Sequence, residues 1–291
     1  MKLVCIPAFN EEKIIGEIIK KSLKHADKVI VCDDGSKDNT AKVAKENGAQ
    51  VIVHNKNQGY GAAIITLFDA ARRENADIMV TLDGDGQHDP DQIPALVDAL
   101  KEHNLDVVIG SRFLDSSTKS SGYRKQGIKI ITSASNFGTD FKVSDAQSGF
   151  RAYSKQAIDS IHPTETGMSV STEILLKISN KGLSLAEVPI SVSYGEDTST
   201  QNPVPHGIKV LMDTLKFISV KHPIPFYGFP GIVLVIIGSI TGYQFLDAYL
   251  NKQTVFLGSL MVSVILFLLG AILCVTAIIL FSMATLMRER E

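Results

Sequence analysis

The chain has 291 residues with 29 basic and 31 acidic side chains, a net charge of −2, which leaves no basic footprint for nucleic acid and room for one large domain plus something smaller. Its cysteines, Cys5, Cys32 and Cys274, make neither a CxxC pair nor a disulfide framework. A reducing compartment therefore fits, a zinc centre does not, and Cys5 and Cys32 read as small buried hydrophobes.

Lys2–Pro7 reads as a first strand, with too short an apolar run before Asn10-Glu11-Glu12 for a signal peptide. Pro7-Ala8-Phe9-Asn10-Glu11-Glu12 turns it into a helix with Asn10 as cap, Glu11 and Glu12 in the first turn, and Ile14, Ile15, Ile18, Ile19 and Leu23 on one face. Lys28–Cys32 is a second strand ending in Asp33-Asp34-Gly35-Ser36, and Asp38 or Ser36 caps a helix over Asn39–Asn47. Ala49–His54 is a third strand, and Asn57-Gln58-Gly59-Tyr60-Gly61 leads into a helix over Ala62–Arg73. Ile78–Leu82 is the fourth strand, Ile93–His103 a helix, and Asp106–Ile109 a fifth strand ending at Gly110-Ser111-Arg112. Strands alternating with helices at this spacing predict an α/β domain on a mostly parallel sheet, whose ligands bind at the carboxyl ends of the strands. The polar clusters fall at those ends.

The fourth strand ends in Asp83-Gly84-Asp85-Gly86-Gln87. Carboxylates are costly to bury unpaired, so these two belong at the strand's mouth with a partner. Two hard oxygen ligands beside the amide of Gln87 suit Mg²⁺ or Mn²⁺, ions that commonly accompany phosphate-bearing ligands. A calcium loop is a poor fit, because its sixth position would be His88 and its twelfth Pro94. A plain polar turn remains the other reading of an isolated Asp-x-Asp. Gly59-Tyr60-Gly61 lacks the third glycine of a dinucleotide fingerprint, but its glycines allow close backbone approach.

Beyond a Ser-rich loop over 116–122, a helix is expected from Tyr123 to Phe137, a short strand over Ser148–Tyr153, helices over Lys155–Ile161 and Ser171–Lys181, and a strand over Leu183–Val192. Gly207–Val220 is amphipathic, with Ile208, Leu211, Leu215 and Ile218 opposite Lys209, Asp213 and Lys216; a bilayer-surface helix and a packed core helix fit it equally. Pro223–Leu246 and Gln253–Met287 carry no charge at all, and a membrane helix needs about 20 such residues. Asp247–Lys252 is too short to be a domain, so the two form a hairpin. Lys209, Lys216 and Lys221 precede it and Arg288 and Arg290 follow it, which puts both ends on the cytoplasmic side. The expected organisation is a cytosolic domain over 1–205, an interfacial helix over 206–222, and membrane helices over 226–246 and 255–283 within 223–291.

Taken together, Pro7-Ala8-Phe9-Asn10-Glu11, Asp33-Asp34-Gly35-Ser36, Asn57–Gly61, Asp83–Gln87, Gly110-Ser111-Arg112-Phe113, Ser148-Gly149-Phe150-Arg151 and Glu187-Val188-Pro189-Ile190 resemble family 2 glycosyltransferases of the GT-A fold. Within the family the resemblance is to dolichyl-phosphate mannose or glucose synthases, and it covers residues 2–195. It implies inverting transfer of a sugar from a nucleotide-diphosphate sugar to a polyprenyl phosphate at the membrane. Pro7, Phe9 and Glu11 would then line the nucleoside pocket, Asp34 would accept a hydrogen bond from the base, and Asp33 would support that loop. Gly59 and Gly61 would lie against the nucleotide sugar, while Asp83, Asp85 and Gln87 would hold Mg²⁺ or Mn²⁺ on the diphosphate. Arg112 is the first candidate for the acceptor phosphate, followed by Arg124, Lys125 and Lys129; Glu173 either orients the donor sugar or lies on a helix surface. The sequence departs from its relatives at Glu196–Gly207, which holds no arginine or lysine where they carry both, so that His206 and hydroxyls replace the charge or the substrates differ. A polysaccharide synthase would need more membrane helices and a Gln-x-x-Arg-Trp motif, and the chain has no tryptophan. A non-catalytic nucleotide-sugar-binding adaptor would have no use for Asp83, Asp85 and Gln87. Self-association is left open.

Overall fold

The computed structural model describes residues 1–114, 132–133, 136, 139, 141–192, 212, 219, 223–252 and 257–288. Two compact units separate at Thr214 and Leu215.

In the first unit one sheet carries seven strands: β1 (Lys2–Ala8), β2 (Lys28–Asp33), β3 (Gln50–Val53), β4 (Ile78–Thr81), β5 (Val107–Ser111), β6 (Arg151–Ser154) and β7 (Leu185–Pro189). Their spatial order is β3-β2-β1-β4-β6-β5-β7, and every pairing is parallel except those of β6, which runs antiparallel to both β4 and β5. β1, β2, β4 and β5 read as near-continuous apolar runs because both their faces are covered. Leu3, Cys5, Ile30, Cys32, Met79 and Ile109 point to one face, against Leu67 and Phe68 of α3 (Tyr60–Arg73), Ile158 of α5 (Lys155–Ser160) and Ile174 and Leu175 of α6 (Val170–Asn180). Val4, Ile6, Val29, Val31, Val80 and Val108 point to the other, against Ile15, Ile18 and Ile19 of α1 (Ile15–Ser22), Ala44 of α2 (Thr40–Glu46) and Ile93, Leu96 and Val97 of α4 (Ile93–Glu102). The two-residue period of each strand sorts its side chains between the layers. Cys5 and Cys32 are fully buried, and burial pushes both thiols up, Cys32 to about 12.

The first helix starts later than its sequence suggests. Asn10 is not a cap: it sits in the left-handed region at φ 59°, its amide donates to Ser36 Oγ, and its side-chain oxygen accepts the Lys37 amide at 2.9 Å. A turn on the Glu11 carbonyl, which accepts the amides of Ile14 and Ile15, then opens α1. Asp38 rather than Ser36 serves the next helix, accepting the Thr40 amide at 3.0 Å.

The second unit contains α7 (Phe229–Lys252) and α8 (Leu257–Arg288), preceded by a π-helical turn over Ile224–Gly228. By length and composition Ile224–Asn251 and Leu257–Met283 can each cross a membrane. Ile232, Ile236 and Ile240 of α7 and Ile265, Leu268 and Ile272 of α8 are exposed, as lipid-facing side chains would be. The two helices meet along small residues. A Cβ on Gly238 would lie 2.7 Å from the Phe267 nitrogen, and one on Gly270 would lie 2.6 Å from the Gly231 carbonyl. Such residues let helix backbones approach closely where the solvent supplies no hydrophobic drive. Ser263 Oγ completes the seam by donating to the Gly238 carbonyl at 3.0 Å. The expected interfacial helix over 206–222 lies outside the described residues, apart from Met212 and Ser219.

Candidate active site

β2 delivers two carboxylates to the carboxyl edge of the sheet, and both are buried. Asp33 accepts the amide and hydroxyl of Ser36, which closes the Asp33–Ser36 turn, in keeping with its expected supporting role. Asp34 accepts the Gln58 amide at 2.9 Å on one oxygen and the Gly59 amide at 2.8 Å on the other, and His54 Nδ1 lies 2.7 Å from the first. Asp34 therefore holds the Asn57–Gly61 loop in place, a task invisible in its sequence motif. His54 reaches onward to Thr66 Oγ at 2.9 Å, tying the loop to α3.

The close approach that Gly59 and Gly61 permit is to the protein's own backbone. Gly59 has φ 104°, and a Cβ there would sit 2.5 Å from the Thr166 carbonyl; one on Gly61 would sit 2.1 Å from the Glu165 carbonyl. That loop is pinned in turn by Glu173. Its carboxylate, almost fully buried, accepts the amides of Thr164 and Glu165 and the Thr164 hydroxyl, with Lys177 Nζ at 3.0 Å. Burial alone would raise the Glu173 pKa, but these bonds outweigh it and lower it. Glu173 is thus neither on a helix surface nor poised as a sugar ligand; it anchors a loop.

Pro7 is buried at the end of β1, whereas Phe9 is exposed and Glu11 half-buried beyond it. Asp83 and Asp85 follow β4, the central strand. Tyr60 Oη donates to Asp83 Oδ1 at 3.0 Å, and His88 Nε2 lies 3.6 Å from Asp83 Oδ2. Gly149 presses on the same carboxylate so closely that a Cβ there would be 2.4 Å from both oxygens. Desolvation would raise the Asp83 pKa, but His88, Tyr60 and the charge of Arg112 outweigh it and hold it low. Asp85 goes the other way: desolvation and then the charge of Asp83 push it up to about 6, although the Gln87 amide donates to it at 3.0 Å. Burial, then the charges of Asp85 and Asp38, push Glu11 up to about 7.

Asp85 and Glu11 are thus short of a countercharge, which is the condition a divalent cation beside Asp85 would relieve. Among the described residues no three His, Cys, Asp or Glu side chains could hold a metal by themselves. Asp83, Asp85 and the half-buried Gln87 fit a Mg²⁺ or Mn²⁺ that takes its remaining oxygens from a diphosphate and water.

Arg112, at the end of β5, lies against Asp145: Nε is 2.6 Å from Oδ2 and Nη2 is 2.8 Å from Oδ1. Asp145 is completely buried, and Glu187 of β7 accepts the amides of Ser144 and Asp145. Arg151 is also buried, donating to the carbonyls of Ala146 and Ser148. Asp145, Tyr60 and Gly149 were not singled out as site residues from the sequence; an arginine at a strand end with no acid beside it was the available signal for Asp145. Arg124, Lys125, Lys129 and the Glu196–Gly207 segment lie outside the described residues.

A mostly parallel sheet with a polar rim at its carboxyl edge and a carboxylate pair just after its central strand is a GT-A-type fold. The solved glucosyl-3-phosphoglycerate synthase of Mycobacterium tuberculosis, in complex with Mn²⁺, UDP-glucose and phosphoglyceric acid, superimposes with a TM-score of 0.61 over 75% of this chain and 80% of that one. At 22% identity that likeness shows the fold alone. The chain belongs to glycosyl transferase family 2, whose model matches residues 3–161, and it is a glycosyltransferase. It is 34% identical to the UDP-N-acetylglucosamine–dolichyl-phosphate N-acetylglucosaminyltransferase of Methanococcus voltae, over 66% of this chain and 85% of that one. It is 29% identical to the polyprenol monophosphomannose synthase of Mycolicibacterium smegmatis, over 67% of this chain and 78% of that one.

Proposed function

We propose that this chain is a membrane-anchored, divalent-metal-dependent enzyme that transfers a sugar from a nucleotide-diphosphate sugar to a polyprenyl phosphate, with inversion at the anomeric carbon. The observation that carries the reading is the Asp83–Asp85 pair at the carboxyl edge of the sheet, whose second carboxylate lacks a countercharge, in a chain whose relatives are named for polyprenyl-phosphate acceptors. A Mg²⁺ or Mn²⁺ bound there supplies Lewis-acid stabilisation to the departing nucleoside diphosphate. Asp83, Asp85 and Gln87 hold it, Pro7, Phe9 and Glu11 line the nucleoside pocket, and the Asp34-held loop with Gly59 and Gly61 borders the donor. A phosphate oxygen of the acceptor forms the new bond to the anomeric carbon as the bond to the diphosphate oxygen breaks with its electron pair. That nucleophile is already anionic at neutral pH, so it needs positive charge and positioning rather than a base. Arg112 supplies the charge, with Arg124 and Lys125 as further candidates. The hairpin α7–α8 keeps the enzyme at the bilayer where the acceptor phosphate lies, with the catalytic domain and both termini cytoplasmic.

The test is transfer of label from a panel of nucleotide sugars, by membranes containing the protein, into a chloroform-extractable, mild-acid-labile lipid. EDTA should abolish transfer and Mn²⁺ or Mg²⁺ should restore it. Transfer that survives EDTA would overturn the metal reading, and label appearing only in water-soluble or polymeric product would overturn the acceptor.

A further inference from the structure

Tyr60 lies between two glycines whose backbones are both fixed. The Gly59 amide is bound by Asp34 Oδ2 and the Gln58 amide by Asp34 Oδ1, while Gly59 and Gly61 pack under the carbonyls of Thr166 and Glu165. The Ala62 amide donates to the Thr166 carbonyl, which fixes the first turn of α3 from the other side. The Tyr60 ring packs against the core layer that includes Phe68 and Tyr153. Backbone and ring together leave the phenol hydroxyl one address, Asp83 Oδ1 at 3.0 Å. A carboxylate turns easily about its last torsion, whose well is broad. A hydrogen bond to one oxygen sets that plane, and Gly149 closes the space on the side facing residue 149.

We propose that Tyr60 is a positioning residue for the metal: its hydroxyl fixes the Asp83 carboxylate so that the remaining lone pairs face the cation. It also joins the loop held by Asp34 to the metal-binding strand end. The inference rests on the metal reading of Asp83 and Asp85 given above. Removing a partner that orients a metal ligand costs about 10–100-fold in metal affinity.

The experiment is Mn²⁺ binding by the full-length protein in detergent, read from the electron paramagnetic resonance signal of unbound Mn²⁺, with UDP and separately with GDP. Tyr60→Phe keeps the ring and removes only the hydroxyl. It should weaken Mn²⁺ binding about tenfold or more, while leaving the melting temperature and metal-free nucleotide binding in EDTA unchanged. Tyr60→Leu should show the same Mn²⁺ loss together with a lower melting temperature. If Tyr60→Phe binds Mn²⁺ within twofold of the wild type and only Tyr60→Leu is impaired, the residue merely packs and the proposal is overturned. If the wild type itself retains no Mn²⁺ with either nucleotide, the metal reading of the site falls first, a result distinct from failure of the Tyr60 assignment alone.

Discussion

Gly149→Ala is the sharpest test of how the site is built. The new methyl would begin 2.4 Å from both Asp83 oxygens, where ordinary contact starts at 3.4 Å, so the carboxylate has to withdraw by about 1 Å. The backbone at 149 has little freedom to yield instead. Its carbonyl accepts Thr81 Oγ1 at 2.7 Å, and two residues further on Arg151 pairs with Thr81 in the sheet. Overpacking of this kind costs about 1–3 kcal/mol of stability. A displacement of about 1 Å at a reacting centre costs about 100-fold in rate. The expected result is a loss of about two orders of magnitude in lipid-linked product, with the Mn²⁺ requirement shifted to higher concentration. Gly182→Ala is the control: φ there is 62° and nothing lies within 4 Å, so it costs about 1–2 kcal/mol in backbone strain and nothing in rate. Turnover by Gly149→Ala within threefold of the wild type, at an unchanged Mn²⁺ optimum, would refute the idea that Asp83 must stay where Gly149 lets it lie.

Asp85→Ala should abolish metal-dependent transfer while leaving the fold intact, and full turnover in that variant would remove Asp85 from the metal site. Arg112→Ala should destabilise the protein by about 3–5 kcal/mol in urea unfolding, because it leaves the fully buried Asp145 unpaired. The double variant Arg112→Met/Asp145→Leu should recover much of that stability without recovering acceptor use; recovered transfer would show that Arg112 serves the fold alone. Mn²⁺ binding should tighten as pH rises from 5 to 8, since a cation must displace the proton from Asp85, at about 6, and ionisation of nearby Glu11, at about 7, adds negative charge beside it. Both groups bind protons more tightly folded than unfolded, so the metal-free protein should lose stability as pH rises through the same window; a flat profile would contradict the shifts. Gly238→Val in the hairpin should lower the melting temperature in detergent, because its Cβ would meet the Phe267 backbone at 2.7 Å, and an unchanged melting curve would mean the helices do not pack there.

The centre of the sheet was legible because β1, β2, β4 and β5 are short apolar runs followed by turns, and burial on both faces requires that pattern. The polar rim was legible for the same reason, since Asp33-Asp34, Asn57–Gly61, Asp83–Gln87 and Ser111-Arg112 each interrupt such a run. Pairings across the chain were not. Asp34 with the Gln58 and Gly59 amides, Asp145 with Arg112, and Glu173 with Thr164 are set by tertiary contacts that local spacing does not encode. Asn10 misled for a related reason: asparagine suits both a helix cap and a left-handed turn, and packing of the Ser36–Lys37 turn selects the second. Gly59 and Gly61 signalled close approach correctly, but a glycine does not say to what.

The reversed direction of β6 has one further effect. Because β6 runs against its neighbours, it begins at the edge where β4 and β5 end, with Arg151 opposite Thr81 and Ile109. The end of β5, the start of β6 and the end of β7 therefore all lie at one rim. The two ends of the connection, Arg112 after β5 and Gly149 before β6, are thereby both brought to Asp83 at the end of β4.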